Sequence, residues 1–278
     1  AEYVLKLEGF FILLSIICMF LSVPAMFPFV VLILGNVGIA LCAGAAAVIN
    51  HVVDRKIDLK MSRTLNRPVA KGRVSPYQAL LFSTILGLIG MAILLVYINS
   101  LTAWLTLASL FGYAVLYTSY LKRATPQNIV IGGLAGAVPP LLGWTAVTGE
   151  IHGHALLLVL IIFAWTPTHF WALAVHRKDE YAKAEIPMLP VTHGEKYTKI
   201  SILLYTVLMI LVTLLPFAVG MSGWLYISGA LILGAGFLYW AIVMMLDRNP
   251  NAGMDTFKYS IVYLMALFII MLVDHYFI

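Results

Sequence analysis

Apolar runs of about 20 residues or more recur from one end of this chain to the other, each long enough to carry a helix across the ~30 Å hydrocarbon core of a bilayer. In lipid only helices and closed barrels satisfy their own backbone polar groups, and runs of this length without two-residue alternation are helices. With 62% hydrophobic residues, 10% charged residues and a mean hydropathy of +0.99, a soluble domain is excluded. The sequence therefore predicts an all-α polytopic membrane protein, 1–278 forming one transmembrane domain. Nine spans are expected, at about 7–26, 29–49, 76–98, 101–121, 128–148, 155–175, 199–219, 223–246 and 256–277. The first has Lys6 before it but no small-residue cleavage pattern behind a short apolar core, so it reads as a span and not a signal peptide.

Charge tests this count independently of hydropathy. The 17 Lys and Arg residues fall as one before span 1, seven between spans 2 and 3, two between spans 4 and 5, five between spans 6 and 7, and two between spans 8 and 9. The intervening connections hold none. An odd number of spans gives this alternation, and the positive-inside rule places the N-terminus and the charged loops in the cytoplasm, with Asp274 and His275 ending on the far side. The net charge of +5 thus describes orientation and anionic ligands, and no nucleic-acid module is present. Cys18 and Cys42 lie within spans and read as small apolar residues, with no disulfide framework.

Against this background one charged segment stands out, Asn50-His51-Val52-Val53-Asp54-Arg55-Lys56-Ile57-Asp58, continuing through Arg63-Thr64-Leu65-Asn66-Arg67-Pro68. On a helix Asn50, Asp54 and Asp58 drift about 40° per step and rise about 6 Å, making one stripe of hard oxygen donors suited to a divalent metal. Arg63, Arg67, Lys71 and Arg73 follow in a turn-rich stretch, so metal acceptors and phosphate donors lie close together. That combination points to a polyphosphate ligand, with the carboxylates expected to serve metal rather than packing. A solvated charged face is the ordinary alternative for a loop; the fixed spacing at a helix end argues against it. The loop after span 6, His176-Arg177-Lys178-Asp179-Glu180-Tyr181, again sets acids at a helix end. If the spans ring a central cavity open to the cytoplasmic side, Asp179 or Glu180 faces Asp54 and Asp58 and two Mg²⁺ ions clamp one diphosphate. Lys122 and Arg123 are either part of such a site or topology anchors.

His169, near the middle of span 6 in Trp165-Thr166-Pro167-Thr168-His169-Phe170-Trp171, is an ionisable group where ionisable groups are costly, and so a functional candidate. The competing reading is a neutral histidine donating to a carbonyl freed by Pro167. Gly132, Gly133, Gly136, Pro139, Pro140 and Gly143 in span 5 permit close helix approach and a break, with helix packing the plainer explanation.

Asn50-x3-Asp54-x3-Asp58 with Arg63-Thr64 and Asn66-Arg67-Pro68 resembles the first aspartate-rich motif of the UbiA superfamily of intramembrane prenyltransferases. Tyr117-Thr118, Leu121-Lys122-Arg123-x-Thr125-Pro126-Gln127-Asn128, the run from Gly132 to Gly149, Trp165-x-Pro167-x-His169-Phe170-Trp171, Asp179-Glu180-Tyr181 and Ile186-Pro187-Met188-Leu189-Pro190 are similar to its heme-farnesylating branch. Two features depart from the superfamily pattern. Lys183 and Ala184 stand where a second acid of the later motif often lies, and Leu5-Lys6-Leu7 replaces the usual Thr-Lys-Pro element.

The resemblance implies Mg²⁺-dependent transfer of a farnesyl group from farnesyl diphosphate to a vinyl group of heme B, with water addition, in the cell inner membrane. It implies Asn50, Asp54, Asp58 and Asp179 as metal ligands; Asn50, Asp54, Asp58 and Lys122 as catalytic; and Arg63, Arg67, Lys122 and Arg123 as diphosphate donors. His169 is implied as a heme contact, Lys183 or Lys196 as partners for the propionates, and a downstream heme-modifying enzyme as a possible recipient of product. Prenylation of an aromatic quinone precursor and membrane transport are the alternatives; the acids lie at helix ends, not at midplane depth, which disfavours transport.

Overall fold

The computed structural model describes residues 2–23, 29–62 and 64–277, with side chains from Ile12 onward. Among these residues the chain is helical and contains no strand. Helices α1 (Glu2–Leu21), α2 (Phe29–Val53), the single turn α3 (Arg55–Asp58) and α4 (Pro76–Ile93) come first. A π-helical stretch, Leu94–Ile98, extends α4; α5 (Ser100–Phe111) is extended in turn by a second π-helical stretch, Gly112–Leu121, and the short α6 (Lys122–Ala124). Then follow α7 (Asn128–Ala137), α8 (Pro139–Thr148), α9 (Gly153–His176), α10 (Lys178–Lys183), α11 (Leu189–Thr192), α12 (Gly194–Ala218), α13 (Trp224–Met245) and α14 (Ala252–Phe277).

Among the described residues eight segments are long and apolar enough to cross a membrane: 29–53, 76–98, 100–124, 128–148, 153–176, 194–218, 224–245 and 252–277. They match eight of the nine expected spans within a few residues. The ninth, predicted at 7–26, falls on α1, of which the apolar stretch Ile12–Leu21 is described; residues 24–28 lie outside the described residues.

The chain divides into two compact units. The first comprises residues 1–124 and 138–152, the second 125–137 and 153–278. The span predicted over 128–148 is thus two helices, interrupted at Val138 before the Pro139-Pro140 pair, because proline at the start of a helix supplies no donor to continue the preceding ladder.

In the first unit α2 packs along α4 through small residues. A Cβ on Gly90 would lie 2.8 Å from the carbonyl oxygen of Gly38, so only glycine allows this approach. α1 crosses α8 as tightly: a Cβ on Gly143 would lie 2.3 Å from the Ser15 carbonyl. Ser75 caps α4, accepting from the Gln78 N–H while the Gln78 side chain accepts from the Ser75 N–H, so the helix starts at Pro76. One side of α4 displays Leu81, Ile85, Leu88 and Ile89, the surface expected against lipid.

In the second unit α9 packs on α7, α12 and α14, and α13 on α12 and α14. Gly133 of α7 meets α9 at Thr166, where a Cβ would come within 2.8 Å of the threonine methyl. Asp274, wholly buried near the end of α14, accepts from the N–H groups of Gly223 and Tyr226 and caps α13.

Candidate functional site

Helix α2 ends at Val53. Asp54 has φ −86° and ψ 0°, and α3 starts after it, so the stripe of oxygen donors crosses a helix end. The four-residue ladder continues through the break, with Asp54 N–H donating to the Asn50 carbonyl at 2.9 Å and Asp58 N–H to the Asp54 carbonyl at 2.8 Å. The three side chains therefore stay on one side, as the spacing requires. Their environment differs from expectation: Asp54 is 0% and Asp58 3% exposed, so both carboxylates are buried. A desolvated carboxylate persists only with a partner, and each has a cation.

Asp58 receives Arg67. The Arg67 Nη1 lies 2.9 and 3.0 Å from the two Asp58 oxygens and 3.4 Å from Asn50 Oδ1. Arg67 gets there because the segment after α3 folds back by turns: Thr64 N–H donates to Met61, Arg67 N–H to Thr64, and the Thr64 hydroxyl to the Asp58 carbonyl. Val69 anchors that segment in a small core with Val52 and Ala79. Burial raises the Asp58 carboxyl above the ordinary aspartate value, and the Arg67 guanidinium opposes that shift without cancelling it.

Asp54 receives the other cation. Lys122 Nζ donates to Asp54 Oδ2, which also accepts from Asn50 Nδ2 at 3.1 Å. Arg123 Nη2 lies 3.6 Å from Asp54 Oδ1 and 3.4 Å from the Val53 carbonyl, on a side chain still half exposed. Lys122 and Arg123 are therefore at the acidic segment and are not distant anchors. The second π-helical stretch delivers them, together with wholly buried Thr118, whose hydroxyl accepts from Asn50 Nδ2 at 3.2 Å and donates to the Tyr113 carbonyl at 2.8 Å. Arg63 lies outside the described residues.

Chemically, this cluster alternates acceptors and donors: one amide oxygen and two carboxylates, interleaved with the three cations Arg67, Lys122 and Arg123. The donors are hard oxygens that suit Mg²⁺. Asp54 Oδ1 is buried without a hydrogen bond, which leaves an acceptor for a cation better placed than Arg123. Among the described residues no three His, Cys, Asp or Glu side chains converge, so a thiolate or imidazole metal centre is not built here. The fit is to an oxygen-bound ion completed by ligand oxygens.

The second unit holds the remaining candidates. His169 is buried between Trp165, ring centroids 4.2 Å apart at 21°, and Phe257, 4.5 Å apart at 29°. Its Nδ1 is 2.6 Å from the Ser260 hydroxyl, which itself donates to the Phe257 carbonyl. A carbonyl can only accept, so Nδ1 donates and the lone pair of the neutral ring sits on Nε2. The Pro167 carbonyl scheme expected from sequence is replaced by this link to α14. Asp179 and Glu180 lie on α10; Asp179 is exposed, and Glu180 pairs with Arg177 at 3.8 Å. Lys183 and Lys196 are exposed.

The sequence reading missed Thr118 as a member of the cluster. Its signal was faint: an uncharged residue four before Lys122, quoted only as part of a motif.

A model of the UbiA prenyltransferase family matches residues 10–269. A protein of Saccharophagus degradans named protoheme IX farnesyltransferase is 73% identical over 265 residues, 95% of this chain and 88% of that one. The fold is similar to that of a solved structure described in connection with digeranylgeranylglyceryl phosphate synthase, with TM-score 0.81 at 19% identity over 99% of each chain. It is also similar to a UbiA homolog from Archaeoglobus fulgidus solved with GPP and Mg²⁺, with TM-score 0.63 at 15% identity over 96% of this chain and 97% of that one.

Proposed function

Because the chain belongs to the UbiA prenyltransferase family, we propose that it transfers the farnesyl group of farnesyl diphosphate to a vinyl group of heme B, with addition of water, giving heme O and diphosphate. The observation that carries the diphosphate half is the interleaved cluster of Asn50, Asp54 and Asp58 with Arg67, Lys122 and Arg123. The heme half is supported by the name of the relative at 73% identity. Asn50, Asp54 and Asp58 would hold Mg²⁺, with Asp179 of the later loop as a further carboxylate for metal, and the ion would neutralise charge developing on the departing diphosphate.

The chain's own residues do the rest. Arg67 and Lys122 pair with the two carboxylates; a bound diphosphate would be a better acceptor for both, and they would turn to its oxygens, joined by Arg123 and Arg63. The two sets of charges exchange partners, and neither carboxylate nor cation is left buried alone. Donors gathered on the diphosphate oxygens would stabilise the charge that develops there as the carbon–oxygen bond breaks. The resulting allylic cation survives only without water, which apolar helices exclude. The vinyl π electrons form the new carbon–carbon bond, and water adds to the resulting carbocation and loses a proton. His169 contacts the heme through Nε2, and Lys183 or Lys196 meets its propionates. The N-terminus and charged loops face the cytoplasm and the C-terminus the opposite side of the inner membrane.

Purified protein given farnesyl diphosphate, Mg²⁺ and either heme B or 4-hydroxybenzoate tests the reading by product mass. A farnesyl-plus-water adduct on heme is expected. Prenylated benzoate alone would replace the acceptor, and no product from either would refute the proposed reaction.

A further inference from the structure

Asn50 is the one uncharged donor in the metal stripe, and an amide can bind a cation only through its oxygen. Rotating the amide by 180° exchanges Oδ1 for Nδ2 at almost no steric cost, so something must fix which atom faces the site. Two acceptors do so. Nδ2 donates to Asp54 Oδ2 at 3.1 Å and to Thr118 Oγ1 at 3.2 Å, which uses both amide hydrogens and turns Oδ1 toward Arg67, 3.4 Å away. Thr118 can accept only because its own proton is committed elsewhere, to the Tyr113 carbonyl at 2.8 Å.

That commitment depends on the π-helical stretch Gly112–Leu121. Tyr113 lies five residues before Thr118, so its carbonyl is the natural partner of an i→i+5 ladder, and the Lys122 N–H bonds the Tyr117 carbonyl with the same five-residue step. A wider turn also brings residues four apart nearly above one another. Thr118 and Lys122 are such a pair, and they reach Asn50 and Asp54, themselves four apart.

We infer that Thr118 is a positioning residue: its hydroxyl, oriented by the π-helical Tyr113 carbonyl, locks the Asn50 amide with its oxygen toward the metal and diphosphate. Asp54 Oδ2 already takes Lys122 as well as the amide, and an oxygen that also served a metal would hold the amide less well. Thr118 then remains as the anchor. The role rests on the reading of the cluster given above.

The test separates binding from turnover. Binding of farnesyl thiolodiphosphate, an unreactive analogue, is titrated against Mg²⁺ with purified wild type, Thr118→Val, Thr118→Ser and the pair Asn50→Ala and Asn50→Ala/Thr118→Val. Thr118→Val keeps the shape and should raise the Mg²⁺ concentration for half-maximal binding about 10- to 100-fold, the usual effect of removing a group that orients a metal ligand. Thr118→Ser should stay within about threefold of wild type, since it keeps the hydroxyl. In the Asn50→Ala background Thr118→Val should add nothing. Thr118→Cys, similar in volume with a weak acceptor, carries the same expectation as valine should the valine variant not fold. An unchanged Mg²⁺ requirement in Thr118→Val, or equal loss in Thr118→Ser, would overturn the role, as would a full additional loss on top of Asn50→Ala. Wild type that binds the analogue but makes no heme O would sink the acceptor assigned above and not this inference.

Discussion

Asp54 and Lys122 form a pair in which neither member tolerates loss of the other equally. Asp54 is wholly desolvated, whereas the Lys122 side chain is 17% exposed. Replacing Lys122 by methionine strands a carboxylate with only the Asn50 amide and an arginine at 3.6 Å. Removing one partner of a buried pair costs about 3–5 kcal/mol, and this case belongs within that range. Asp54→Asn strands a lysine that can extend its four-carbon stem toward water, so about 1–3 kcal/mol is expected. The double variant leaves no unpaired charge and should recover most of the loss. At about 2 °C per kcal/mol for a chain this size, Lys122→Met should lower the apparent melting temperature by about 6–10 °C and Asp54→Asn by about 2–6 °C. The double variant should lie within about 3 °C of wild type by the same conversion. The assay is thermal unfolding of detergent-purified protein, with heme farnesylation followed in parallel. All three variants should have lost most turnover, so stability returns in the double variant while activity does not. Lys122→Met as stable as wild type, or a double variant no more stable than Lys122→Met, would refute the buried-pair account.

Two further outcomes can be checked directly. Gly143→Ala places a methyl 2.3 Å from the Ser15 carbonyl, a backbone atom that cannot rotate aside, so the α1–α8 crossing must open. Overpacking of that kind costs about 1–3 kcal/mol, and an unchanged unfolding midpoint would show that the crossing is looser than described. Asp179→Ala should raise the Mg²⁺ requirement for turnover while leaving the melting temperature unchanged, because Asp179 is exposed. Undiminished activity at low Mg²⁺ would remove Asp179 from the metal ligands.

The spans were legible because lipid imposes a rule on length and polarity that a sequence carries openly. Eight of them emerged within a few residues, and the Gly-Pro pattern of 132–143 marked both a helix break and the close approaches of Gly133 and Gly143. The spacing of Asn50, Asp54 and Asp58 was equally readable, since the backbone ladder survives the end of α2. Burial was not. Nothing local distinguishes a carboxylate that faces water from one covered by Lys122, 68 residues away. The π-helical register was also hidden: it places Thr118 and Lys122 together, whereas a helical wheel of 3.6 residues per turn sets them about 40° apart. His169 was found by its depth in an apolar run, but its stacking between Trp165 and Phe257 depends on α14, whose sequence says nothing of it.

The first unit is built from two stretches of chain, 1–124 and 138–152, separated by α7 of the second. Ser15 on α1 therefore awaits Gly143 on α8, and at about 5–20 residues per second the ribosome needs on the order of 6–25 s to supply it. For that interval α1 lacks the close contact that Gly143 gives it. A truncation ending before α8 would therefore strip α1 of its main packing partner rather than trim a domain.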